Sequence, residues 1–70
     1  MKSFSAKRVA KVLIAHGFVL VRQKGSHQIF AQESSGVMVV VPFHNGTRPI
    51  PVGTFLAIVK QSKIPKKEFS

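Results

Sequence analysis

Seventy residues, 44% of them hydrophobic, fit a single domain over residues 1–70 with one small core, and leave no room for a second. The chain has no cysteine, which excludes a disulfide framework and a thiolate metal site. Eleven Lys and Arg stand against Glu33 and Glu68 alone, a formal net charge of +9 that attracts polyanions: RNA, DNA, an anionic membrane or an acidic protein, with nucleic acid preferred over charge for solubility alone.

The N-terminal "MKSFSAKRVAKVLIAHG" is basic, and lysines and an arginine interrupt it before a signal-like apolar run can form. No stretch is long and apolar enough to span a bilayer, so the expectation is a soluble, cytoplasmic protein. Ser5 is placed to cap a helix and Phe4 to staple against Val9. Val9, Val12, Leu13 and His16 then recur at helical spacing, and Gly17 is a left-handed stop, which predicts a first helix over Ala6 to His16.

"FVLVRQ", Phe18 to Gln23, is β-branched and aromatic and predicts a strand. Lys24 and Gly25 supply a turn, "SHQIFAQ" a second strand from Ser26 to Gln32, "ESSG" another turn, and "VMVVVP" a third strand from Val37 to Pro42. The three make an antiparallel meander. "FHNGTRPIP" reads as a loop, after which Val52, Phe55, Ile58 and Val59 recover helical spacing over Val52 to Ser62. A basic tail follows, in which Pro65 can open one further helical turn or leave a frayed end. The expected architecture is α+β, in the order α-β-β-β-α, with two amphipathic helices on one face of a three-stranded antiparallel sheet and the other face partly open.

The missing residue types narrow the chemistry. Two glutamates far apart in sequence are poorly suited to hold magnesium, so a metal-dependent nuclease is disfavoured, and a Ser-His-Asp triad has no aspartate. His16, His27 and His44 match no zinc-ligand spacing, and His16 suits a helix C-terminus, where a protonated ring meets the negative dipole end. No metal or other cofactor is expected. Histidine acid–base chemistry in a cationic setting remains, and it suits RNA, whose 2′-hydroxyl is an internal nucleophile. DNA has none.

The candidate site centres on "RQKGSHQIF", Arg22 to Phe30. Alternation groups His27 with Ile29 and Ala31, a set that reads as the core face and on parity alone makes His27 a packing residue. Its place at a strand end beside a glycine turn, where a bulge can aim the ring outward, argues for a reactive one. Gly25 is expected at positive φ, letting backbone approach a phosphate, and Ser26 either donates to phosphate or caps the turn. Lys24 is the preferred electrostatic helper, with Arg22 expected on the opposite side. His44 is a second acid–base candidate or a packed loop histidine, ahead of a helix N-terminus able to receive an anion. Lys60 and Lys63 are candidates for non-specific RNA contact, or simply solvated charge at a helix end.

With "GSHQIF" and the downstream "VPFHNGTRPIPVGTFLAIVKQSKI", the sequence resembles the HicA family of toxin components of toxin–antitoxin pairs. The resemblance covers nearly the whole chain: Gly17-Phe18, the turn from Arg22 to His27, Phe30, Pro42 with His44, and Gly53-Thr54 at the last helix. It implies a double-stranded-RNA-binding-like fold, mRNA interferase activity with His27 as catalytic histidine, and inhibition by a HicB-family antitoxin. A non-catalytic RNA-binding module is the alternative reading, and a protein known mainly by its binding to an acidic antitoxin is a third. Oligomeric state is left open by the sequence.

Overall fold

The computed structural model describes residues 4–43 and 48–69. The chain runs α1 (Ala6–Ala15), β1 (Phe18–Lys24), β2 (His27–Gln32), β3 (Val37–Pro42), α2 (Val52–Ser62) and a closing 3₁₀ turn, η1 (Lys66–Phe69). The strands form an antiparallel sheet in the order β1-β2-β3. This is the α-β-β-β-α order expected from the sequence, with the boundaries of the first hairpin moved: Lys24 belongs to β1, and Ser26 to the turn.

Helix α1 forms where the sequence placed it. Ser5 Oγ accepts a hydrogen bond from Arg8 N at 3.2 Å, satisfying one of the free N–H groups of the first turn. Val9 and Leu13, four residues apart, face the core. His16 caps the other end: its Nδ1–H donates to Val12 O at 2.9 Å, and its own carbonyl accepts from Gln32 Nε2 at 2.6 Å. Gly17, at φ +89, then turns the chain into β1. Gln32 thus ties the far end of β2 to the end of α1.

The core is one cluster. Phe18 from β1, Phe30 from β2, and Val39 and Val41 from β3 meet Val9 and Leu13 of α1 and Phe55 and Ile58 of α2. Phe4 stacks on Phe55 with ring centroids 4.3 Å apart, joining the start of α1 to α2, and Arg8 lies over the Phe4 ring at 5.2 Å. The backbone before α2 is secured to the same corner, since Ile50 N donates to Phe4 O at 2.7 Å and Ser5 bridges Pro49.

The basic tail is built into the core. Helix α2 ends on Lys63 at φ +61, an unusual conformation for a non-glycine residue. Buried Ser62 supports that turn, donating to Val59 O at 2.8 Å and accepting from Ile64 N at 3.1 Å. Pro65 then opens η1, whose Phe69 is buried edge-on against Phe55 at 5.7 Å. Glu68 reaches His16 Nε2 at 3.7 Å, a partly exposed pair of the kind that contributes about 0–1 kcal/mol. Apolar burial of Phe69, rather than this ion pair, holds the tail.

Candidate active site on the open sheet face

Cross-strand partners share a face, so the register assigns each paired side chain to one face. Phe30 pairs with Leu20 and Val39, and Gln28 with Gln23 and Val41, and these rows face the helices. His27 pairs with Lys24 and Pro42, Ile29 with Arg22 and Val40, and Ala31 with Val19 and Met38. Those rows face away from the helices. The grouping of His27 with Ile29 and Ala31 therefore holds, while its expected direction is reversed: the set lines the open face, and the buried set contains Phe30.

On β3 exposure agrees with the pairing, whereas on the edge strand β1 Leu20 is 47% exposed although it pairs with Phe30, so the helices leave that end of the row uncovered. Val39 and Val41 are 0% exposed, whereas Val40 between them is 44% and Met38 is 58% exposed. His27 is exposed as well. The parity argument for packing fails because the helices took the opposite side of the sheet.

The turn before His27 has a defined geometry. Gly25 takes φ +60 while Ser26 keeps a negative φ, the pattern of a type II′ hairpin turn with glycine at its first central position. Such a turn makes Lys24 and His27 the closing pair of the hairpin, side by side on one face. On the other flank, Phe43 N donates to Ser26 O. His27 and Pro42 then form a pair without mutual hydrogen bonds, which brings the two side chains to closest approach and leaves the absent proline N–H directed away from β2. Phe43 is also the last described residue before His44; His44 lies outside the described residues.

Arg22 was expected on the opposite side from Lys24. The register places it opposite Ile29, on the same face as Lys24 and His27. A β-bulge explains why both cations can be there. Between Leu20 and Arg22 the register shifts, with Val21 as the extra residue. Strict alternation along β1 would have put Phe18, Leu20, Arg22 and Lys24 on one face; the bulge lets the first two face the helices and the last two face outward. No feature of "FVLVRQK" signals this.

The remaining candidates fall elsewhere. Lys60 and Lys63 sit on and just after α2, in the helical layer, so the sheet separates them from the face that carries His27. Glu33 follows the far end of β2, about 20 Å along the strand from His27 at ~3.3 Å per residue. Glu68 is held at His16. No carboxylate therefore accompanies His27 on the open face among the described residues, and those residues contain no cluster of three or more His, Cys, Asp or Glu.

An open sheet face carrying an exposed histidine between a hairpin lysine and a proline, with an arginine one row along, in a chain of net charge +9, defines a small, strongly basic α+β domain. The family comparison gives it a place: residues 6–64 match the model for the HicA toxin of bacterial toxin–antitoxin pairs, and the chain belongs to that family. It is accordingly the toxin of such a pair, in a family that generally acts as a ribonuclease and works against an antitoxin partner and an RNA target. No curated protein matches the chain closely. No helix among the described residues is long and apolar enough to cross a membrane.

Proposed function

We propose that this toxin is a metal-independent endoribonuclease, an mRNA interferase of the cytoplasm, that uses His27 as general acid or base and is silenced by a HicB-type antitoxin. The observation that carries the reading is the placement of His27: exposed on the open sheet face, at the hairpin end, with Lys24 opposite and no carboxylate on that face among the described residues.

Catalysis in this reading needs no metal. A base removes the 2′-hydroxyl proton, O2′ attacks the adjacent phosphorus, and the 5′-oxygen leaves with a proton from an acid, giving 2′,3′-cyclic phosphate and 5′-hydroxyl ends. His27 serves one of these two proton transfers. Lys24 offsets the negative charge that builds on the phosphoryl oxygens, and the II′ turn of Gly25 and Ser26 lets backbone and the Ser26 hydroxyl approach the same group. His44 is a candidate for the second proton transfer. Lys60 and Lys63, on the other side of the sheet, contribute to general attraction of RNA rather than to the chemistry.

The test is cleavage of mRNA in the presence of a chelator by the wild type and by His27→Ala. We expect cyclic-phosphate ends from the wild type, cleavage reduced at least ~100-fold in the variant on the magnitude of a lost acid or base, and RNA affinity within about twofold. Full cleavage by His27→Ala removes His27 from the mechanism. Retention of intact RNA by both proteins supports a binding module instead.

A further inference from the structure

Among the described strand residues the open face has two cationic positions, and one of them is beside His27. Lys24 is directly opposite it, while Arg22 is opposite Ile29, one row along. The step between those rows is two residues of an antiparallel strand, about 6.8 Å. That spacing suits consecutive phosphates of an extended, unpaired strand, with Lys24 in the row of His27 at one phosphate and Arg22 in the next row at its neighbour. Arg22 is exposed, and between it and Val40 the row is floored by the partly buried Ile29. No acidic side chain shares this face among the described residues.

The bulge at Val21 supplies an independent argument. Without the register shift, a cation at position 22 would share a face with Phe18 and Leu20 and turn toward the helices. The strand departs from regular pairing at the one place that aims Arg22 outward, and bulges commonly re-aim side chains beside functional sites.

We propose that Arg22, aimed by the bulge at Val21, forms a second phosphate subsite that binds the phosphodiester next to the scissile one, so that the substrate is an unpaired RNA strand laid along the open sheet face from His27 toward Ile29. The inference rests on the ribonuclease reading above. The guanidinium meets the non-bridging oxygens of that phosphate with a two-pronged donor set that lysine cannot reproduce. The row of Ile29 and Val40 lies under the intervening nucleotide and offers it an apolar floor without base-specific hydrogen bonds. A duplex is a poor substrate for this arrangement, since its strands are held together and its backbone cannot flatten along a sheet row.

The experiment pairs the protein with synthetic oligonucleotides carrying a single ribose at a position the wild type cuts in a long mRNA. The linkage on either side of the scissile phosphate is an ordinary phosphate or a neutral methylphosphonate. The expected result is that one neutral linkage, on one side only, slows wild-type cleavage about 10- to 100-fold, the range for a charge-assisted contact. Arg22→Gln slows the ordinary substrate equally and shows no further loss on the neutral one; Arg22→Lys falls in between. Losses that multiply, or an Arg22→Gln protein that cuts as well as wild type, overturn the subsite.

The same cycle is measured as binding affinity in a His27→Ala background. Coupling there, with no cleavage by wild type, keeps the subsite and removes the ribonuclease reading. Cleavage by wild type with no coupling removes only the subsite. Equal cleavage of the site in duplex and unpaired form also overturns the proposed path along the sheet.

Discussion

The two faces of one three-stranded sheet carry different work in this molecule. Toward the helices, Phe18, Phe30, Val39 and Val41 are sealed against Val9, Leu13, Phe55 and Ile58. Away from them, Val19, Ile29, Ala31, Met38 and Val40 form an apolar ground with Arg22, Lys24 and His27 at the hairpin end. Both faces are rich in aliphatic side chains. What separates them is whether a helix covers them, so the same residue type is sealed in the core on one side and exposed on the other. Neighbours in sequence alternate between these jobs.

Substitutions at adjacent positions put that division to work. The largest expected effect is at Phe30: truncation to Ala leaves a cavity beneath both helices and costs about 3–5 kcal/mol, a large share of the ~5–15 kcal/mol typical of a domain. His27→Ala, three residues earlier on the other face, should stay within about 0.5 kcal/mol of wild type while losing cleavage. Urea unfolding of the two variants reads the contrast, and comparable destabilisation would erase it.

A finer contrast uses shape-matched replacements. Val39→Thr buries a hydroxyl and is expected to cost about 1–3 kcal/mol, whereas Val40→Thr, next in the chain and on the open face, should stay within about 0.5 kcal/mol. Thermal melts of the pair are sufficient. A costly Val40→Thr would mean that something covers the open face in the isolated protein.

The third test lies at the hairpin. Gly25→Ala places a side chain at φ +60, where an added Cβ meets no atom within 4 Å, so the cost is conformational and about 1–2 kcal/mol. Because the turn sets the Lys24–His27 pair, cleavage should fall by more than the unfolded fraction accounts for. Activity measured well below the melting temperature separates the two contributions.

Much of the fold was legible in the chain. The capping serine, the helical spacing to Leu13, the glycine stop and the strand–turn alternation placed every element to within a residue or two, because each rests on local backbone preferences. The tail was less legible. "KIPKKEFS" gave a choice between a further turn and a frayed end, and Phe69 became a core residue only because Phe55 presents an aromatic edge for it. At the site, the motif drew attention to His27, and composition removed chemistries that need thiolates or paired carboxylates. Arg22 shares a face with Lys24, against expectation, because Lys24 is the last residue of β1, two positions from Arg22, rather than part of the turn.

The sequence by itself determined the order of the elements, the positive φ at Gly25, the excess of cations and the family signature around Gly25-Ser26-His27, since these depend on residue types and short-range spacing. Only the tertiary structure decided which side of the sheet is inside. A strand such as "VMVVV" is apolar in both parities, so periodicity divides its residues into two sets without saying which one the helices will cover. The bulge at Val21 adds a parity change that arises from pairing between strands and leaves no local trace in sequence. Helix placement and strand register together turned His27 and its two cations outward.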